Sequence, residues 1–259
     1  MKNILITTDF SEYATNALDY ITQLFQYESC KFYILHVVKA SSFISDDLMN
    51  MKPSSSLYSQ IIESEKIKLK SEINRVRGDY NNILHEFVPI VDYDNFIDSV
   101  NQCVDKNDIE LVVMGTKGVT NNLKKILGSN TSHIIQNSKV PVMAIPNNYK
   151  FKPVHKLLFT TNYKYDYSIN ELQVLIDIAE HYDFEICVLH LTESETLTVE
   201  QQRVKTSLSN AFANISHDFF EVKSTDFLKT TQDFIINHNI DVFTMMNRKQ
   251  RFFDKLFTY

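Results

Sequence analysis

The chain contains only 4 glycines, and three of them, Gly115, Gly118 and Gly128, fall within one short stretch. Average usage is about 7%, so a chain that otherwise avoids glycine has concentrated it here. The stretch reads Met114-Gly115-Thr116-Lys117-Gly118, nine residues, then Gly128-Ser129-Asn130-Thr131. Glycine lets backbone amides approach an anion closely, and a helix N-terminus offers free N–H groups and a favourable dipole. Ser129 and Thr131 add hydroxyl donors, and Ser129 is a natural N-cap. Gly128-Ser129 therefore reads as a phosphate cradle. It is not a P-loop, because neither GxxxxGK[ST] nor GxGxxG occurs. On spacing alone, three turn or cap glycines remain the alternative. The fourth glycine, Gly78, follows a charged segment and reads as a helix C-cap.

Other reactive residue types form no comparable pattern. His36 and His190 end similar apolar runs and read as structural, with a catalytic role as the alternative. No HExxH occurs, and no Ser-His-Asp or Cys-His arrangement can be assigned from spacing. Cys30, Cys103 and Cys187 lie in apolar contexts without a CxxC, which points to buried thiols and a reducing, cytoplasmic compartment. Asp46-Asp47 lies in a polar stretch and reads as solvated, with a lid over a ligand as the alternative. The tail Arg248-Lys249-Gln250-Arg251-Phe252-Phe253 mixes basic and aromatic residues and reads as an amphipathic segment. The net charge of −6 leaves no dominant basic footprint for nucleic acid. No apolar run reaches the ~18–20 residues that span a bilayer.

The elements that must position the glycine stretch follow from hydrophobic periodicity. Lys2–Thr7, Lys31–Val38, Leu84–Val91, Glu110–Met114 and Val140–Ile145 read as strands. Between them, Glu12–Gln26, Gln60–Arg77, Phe96–Lys106 and Ser129–Gln136 read as helices, and Ser41–Ser56 as a loop. Ile62, Leu69, Ile73 and Val76 form one stripe on the second helix. Strands alternating with helices predict a parallel sheet with right-handed crossovers. In such sheets ligands bind at the carboxyl ends of the strands, where the glycine stretch falls.

The pattern then recurs. Lys156-Leu157-Leu158-Phe159-Thr160-Thr161-Asn162 copies Asn3-Ile4-Leu5-Ile6-Thr7-Thr8-Asp9. Ile186–Leu191 copies Phe32–Val37, and Asn239–Met245 copies Asp108–Met114. The expected organisation is a first domain over 1–147, a linker over 148–152 and a second domain over 153–259. The second copy reads as lacking a last helix and strand.

With these residues in hand, the chain resembles the universal stress protein family, in its ATP-binding type. The resemblance rests on Lys2–Ser11, on Ile34-Leu35-His36-Val37, on the G-x2-G-x9-G-S pattern and on Val140-Pro141-Val142. It implies two tandem open parallel-sheet α/β domains, Rossmann-like and related to adenine-nucleotide alpha hydrolases. It further implies ATP, or AMP or ADP, bound in the first domain with Mg²⁺ or Mn²⁺ possible beside it. Asp9 then takes the ribose or adenine side, with Thr7 and Thr8 lining the same turn. Val37 meets adenine through its backbone, and Met114, Gly115 and Gly118 contact ribose and phosphate. Gly128, Ser129, Asn130 and Thr131 hold the phosphates, with Lys117 adding charge or remaining a solvated lysine. The second domain departs from the pattern at Asn162 and at Met246-Asn247-Arg248-Lys249, so it is expected to bind no nucleotide. The implied role is stress-linked and regulatory rather than efficient catalysis, with at most slow ATP hydrolysis. A homodimer, or pairing of the two domains, would cover the last strand, and no nucleic-acid or membrane partner is expected. A ligand-free interaction module and a true nucleotide-dependent enzyme are the alternatives.

Overall fold

Short apolar runs flanked by amphipathic segments produce alternating strands and helices throughout the chain. The computed structural model describes residues 1–38, 55–93, 95–118, 128–147, 149–192, 194 and 196–246, with backbone alone over 55–61. The described residues up to Phe151 form one compact unit, and those from Lys152 to Met246 form a second. The expected lid at Asp46-Asp47 and the basic–aromatic tail lie outside the described residues.

The first unit runs β1 (Lys2–Thr7), α1 (Glu12–Leu24), β2 (Cys30–Val37), α2 (Ser55–Tyr80), β3 (His85–Asp92), α3 (Phe96–Lys106), β4 (Leu111–Thr116), α4 (Ser129–Asn137) and β5 (Val142–Pro146). Its five strands are all parallel in the order β3-β2-β1-β4-β5. The central strands are buried on both faces, as Ile4, Leu5, Ile6, Phe32, Ile34 and Leu35 show. Leu5, Leu35, Val112 and Met114 pack with Val100, Cys103 and Ile134 of α3 and α4 on one face. Glycine at 115 belongs to the other face. A Cβ there would lie 2.1 Å from the Tyr13 carbonyl oxygen of α1, so α1 rests directly on the β4 backbone. Asn16 of α1 also donates to the Pro146 and Tyr149 carbonyls.

The second unit runs β6 (Lys156–Thr161), α5 (Ile169–Tyr182), β7 (Glu185–Thr192), α6 (Val199–Ala211), β8 (His217–Lys223), α7 (Phe227–His238) and β9 (Val242–Met245). Its strands are parallel in the order β8-β7-β6-β9. This repeats β3-β2-β1-β4 of the first sheet, so the doubled sequence pattern is a doubled topology.

Some boundaries differ from the sequence reading. The second helix begins at Ser55, inside the expected loop, and continues through Gly78 to Tyr80. Gly78 is therefore an interior helix residue and not the C-cap. Asn81, at φ 40, takes the left-handed position that follows, and its N–H donates to the Arg77 carbonyl. Asparagine tolerates this region because its short side chain bonds locally. Leu69, Ile73 and Val76 are buried as expected, and Ile62 is half-buried.

Two glycines should respond in opposite directions. Gly115→Ala forces a Cβ into backbone that cannot yield easily, at a cost of roughly 3 kcal/mol or more. Gly78→Ala, with nothing within 4 Å of the new Cβ, should stabilise by about 0.5–1 kcal/mol. Urea unfolding of the two variants against the parent checks both signs.

Candidate functional site

Parallel strands end together, so β1, β2 and β4 present their carboxyl ends side by side. Thr7 pairs in register with Leu35 on one side and Met114 on the other. Side chains alternate along each strand. Thr7, Val37, Met114 and Thr116 accordingly share the face covered by α3 and α4, while Thr8, His36 and Gly115 belong to the opposite face. The sequence-derived residues are thus brought to one edge of the sheet, divided between its two faces.

The turn after β1 is tightly bonded. Thr8 Oγ1 accepts from the Phe10 N–H at 3.0 Å, which occupies its side chain locally. The Asp9 carboxylate accepts from the Ser11 N–H and hydroxyl and from the Tyr13 hydroxyl. Partial burial pushes the Asp9 carboxyl up, and these hydrogen bonds more than offset it, leaving it below the ordinary carboxylate value. Asp9 is thus an exposed, ionised acceptor at neutral pH.

The three glycines stand in three different settings. Gly115 is required by the approach of α1. Gly118 has φ +59, and a Cβ there would stand 3.0 Å from Pro146 Cβ. Gly128 has φ −74 and nothing within 4 Å of its Cβ position. Neither backbone conformation nor packing demands glycine at 128.

Gly128 is also the N-cap of α4, the position expected for Ser129, and it makes no side-chain cap hydrogen bond. Ser129 is instead the first helical residue. The other helices with a described N-cap are capped by Ser11, Asn95, Ser168, Thr198 and Asp226. Those side chains satisfy amides that would otherwise lack partners. Among the described residues, no side chain caps the first turn of α4. Ser129 and Asn130 are exposed there and Thr131 is buried.

Thr116 was not singled out from the sequence. It is 3% exposed, and its Oγ1 makes no hydrogen bond among the described residues. An unsatisfied buried hydroxyl costs free energy, and this one stands between Gly115 and Gly118. A threonine between two motif glycines was the available signal. Lys117 is exposed beside it.

The universal stress protein family model matches residues 1–146. The chain belongs to this family. A universal stress protein of Methanocaldococcus jannaschii is 24% identical over 148 residues, covering 56% of this chain and 81% of that protein. The structure of a universal stress protein from Archaeoglobus fulgidus matches with a TM-score of 0.70 at 16% identity, covering 94% of this chain and 86% of that one. That likeness shows the two-unit fold. A family protein of Arabidopsis thaliana, solved with AMP bound, is 16% identical with a TM-score of 0.38, covering 57% of this chain and 93% of that one.

In this universal stress protein the second unit's corresponding turn is filled by its own side chains. Thr161 bonds Tyr167 at 2.8 Å, and Tyr163 is 1% exposed. The segment aligned with the glycine stretch lies outside the described residues beyond Met246. The thiols are inert by placement. Burial pushes Cys30 up to about 12 and Cys187 up to about 11, and raises Cys103. Among the described residues no group of three His, Cys, Asp or Glu side chains could hold a metal, and no helix is long and apolar enough to cross a membrane.

Burial lowers the pKa of His85 and of His190. The folded chain then binds fewer protons at these sites than the unfolded chain does. Their contribution is full above the unfolded value of about 6.5 and is lost as pH falls below it. The urea midpoint should therefore drop between pH 7.5 and pH 5, and His85→Gln with His190→Gln should flatten that drop.

Proposed function

We propose that the first unit binds an adenine nucleotide, ATP or its mono- or diphosphate, as the regulatory ligand of a stress-response protein. The observation that carries this reading is the uncapped N-terminus of α4 at Gly128. Phosphate oxygens would accept from the first-turn amides of Ser129, Asn130 and Thr131 and meet the positive end of the helix dipole. The open space at Gly128 admits a phosphate where a side chain would stand. The Thr116 hydroxyl supplies a donor that the protein leaves unused, and Lys117 supplies positive charge.

The nucleoside side follows from the other strand ends. The Asp9 carboxylate accepts hydrogen bonds and suits ribose hydroxyls or the adenine amino group. Thr7, Val37 and Met114 line the adjoining strand ends, and the backbone at Gly115 and Gly118 borders the ribose and phosphates. Mg²⁺ or Mn²⁺ would accompany the nucleotide, coordinated chiefly by phosphate oxygens. The second unit keeps the fold without this equipment, with Asn162 where Asp9 stands in the first.

Calorimetric titration with ATP and Mg²⁺ should show one site per chain, and no binding overturns the proposal. Gly128→Asp supplies both a cap and a negative charge. It should preserve or raise the thermal stability of the ligand-free protein while weakening ATP at least roughly tenfold. Thr116→Val should stabilise the ligand-free protein by about 1 kcal/mol, by removing an unsatisfied hydroxyl, and should also weaken ATP. Undiminished binding by Gly128→Asp would remove α4 from the site.

A further inference from the structure

The turn after the first strand of each unit is pinned from behind by a histidine. In the first unit His36 Nδ1 lies 2.8 Å from the Thr8 carbonyl oxygen, and its ring lies 4.5 Å from that of Phe10. Phe10 takes the left-handed conformation, φ 61. In the second unit His190 Nδ1 lies 3.1 Å from the Thr161 carbonyl oxygen. Its ring lies 4.4 Å from that of Tyr163, which has φ 52. A carbonyl oxygen only accepts, so Nδ1 carries the hydrogen in both histidines.

The two units differ at the other ring nitrogen. His190 Nε2 is buried and makes no hydrogen bond among the described residues, which suits a neutral ring. His36 Nε2 lies 3.7 Å from Glu65 Oε2 on α2. Glu65 is largely shielded and is held on its other oxygen by Lys68 at 2.8 Å. Both nitrogens of His36 therefore face acceptors. A neutral ring with Nδ1–H on Thr8 turns its Nε2 lone pair toward a carboxylate. The imidazolium donates to Thr8 through Nδ1 and faces Glu65 as an ion pair through Nε2. Of the charged groups nearby, Glu65 on α2 faces the ring and Lys68 holds Glu65; Asp9 lies in the turn that the ring pins, and Asp92 on β3, in register with Val37, belongs to the opposite face of the sheet.

We propose that His36 is a proton-dependent positioning residue of the nucleotide site, its imidazolium tying the Thr8–Asp9 turn to α2 through Glu65. The proposal rests on the nucleotide reading above. Thr8 is followed directly by Asp9 and His36 by Val37, so this one ring braces both nucleoside-side groups. The bracing strengthens as His36 gains its proton, and the second unit retains the pin without the charge.

Two measurements test the proposal. Imidazole NMR of the ligand-free protein should show the His36 ring signals moved by Glu65→Gln, with His190 resisting protonation in both. Calorimetry with ATP and Mg²⁺ from pH 5.5 to 8.5 compares the parent with Glu65→Gln and His36→Asn. Comparing variants at equal pH cancels the nucleotide's own titration. On acidification the parent should gain roughly fivefold in affinity relative to either variant, the lower end of typical coupling between sites. Parallel affinity profiles, or His36 ring signals unmoved by Glu65→Gln, overturn the proposal. No ATP binding at any pH overturns the nucleotide reading and the positioning role together, while the spectra still report on the His36–Glu65 pair.

Discussion

The first unit depends on the close approach of α1 to β4. The α1 backbone at Tyr13 lies where a Cβ of residue 115 would stand, so the two elements meet without an intervening side chain. That approach brings the turn with Asp9 and Ser11, and Tyr13 in the first turn of α1, beside the end of β4, where Gly115, Thr116 and Gly118 lie. Asn16 extends the junction by donating to the carbonyls of Pro146 and Tyr149. Turn, β4 end and β5 end are thus held as one assembly before any ligand is considered.

Two features of the first unit, the N-terminus of α4 and the Thr116 hydroxyl, depart from ordinary satisfaction. A folded chain normally caps its helices and pairs its buried hydroxyls. Five described helices do so with side chains, and α4 does not. The buried Thr116 hydroxyl follows the same logic on the same sheet face. The second unit has the sheet order and the histidine pin, but its turn is closed by Thr161, Tyr163 and Tyr167. The two units thus share a topology and differ in what fills the turn after the first strand.

Much of the fold was legible in the residues. The strands of the first unit were marked by apolar runs, and the doubling was marked by matched segments such as Lys156–Asn162. Edge strand β8 was harder to read, because His217, Asp218, Glu221 and Lys223 break its apolar pattern. Gly78 was misread because a glycine near a helix end looks like a terminator, whereas here Asn81 adopts the left-handed turn. Ser129 was misread as the cap because serine is a common cap. The chain places a glycine one residue earlier, leaving the first-turn amides without a side-chain partner.

By itself the sequence determined the parallel α/β class, the tandem repeat, the family and the location of the glycine stretch. These depend on periodicity and residue type, which are local properties of the chain. Only the tertiary structure decided the setting of each of the three motif glycines. Close approach, positive φ and open space are relations between atoms distant in sequence, and the letter G is the same for all three. The same holds for the histidines. His36 and His190 end equivalent strands, and what distinguishes them is a carboxylate from α2, 29 residues further along the chain from His36.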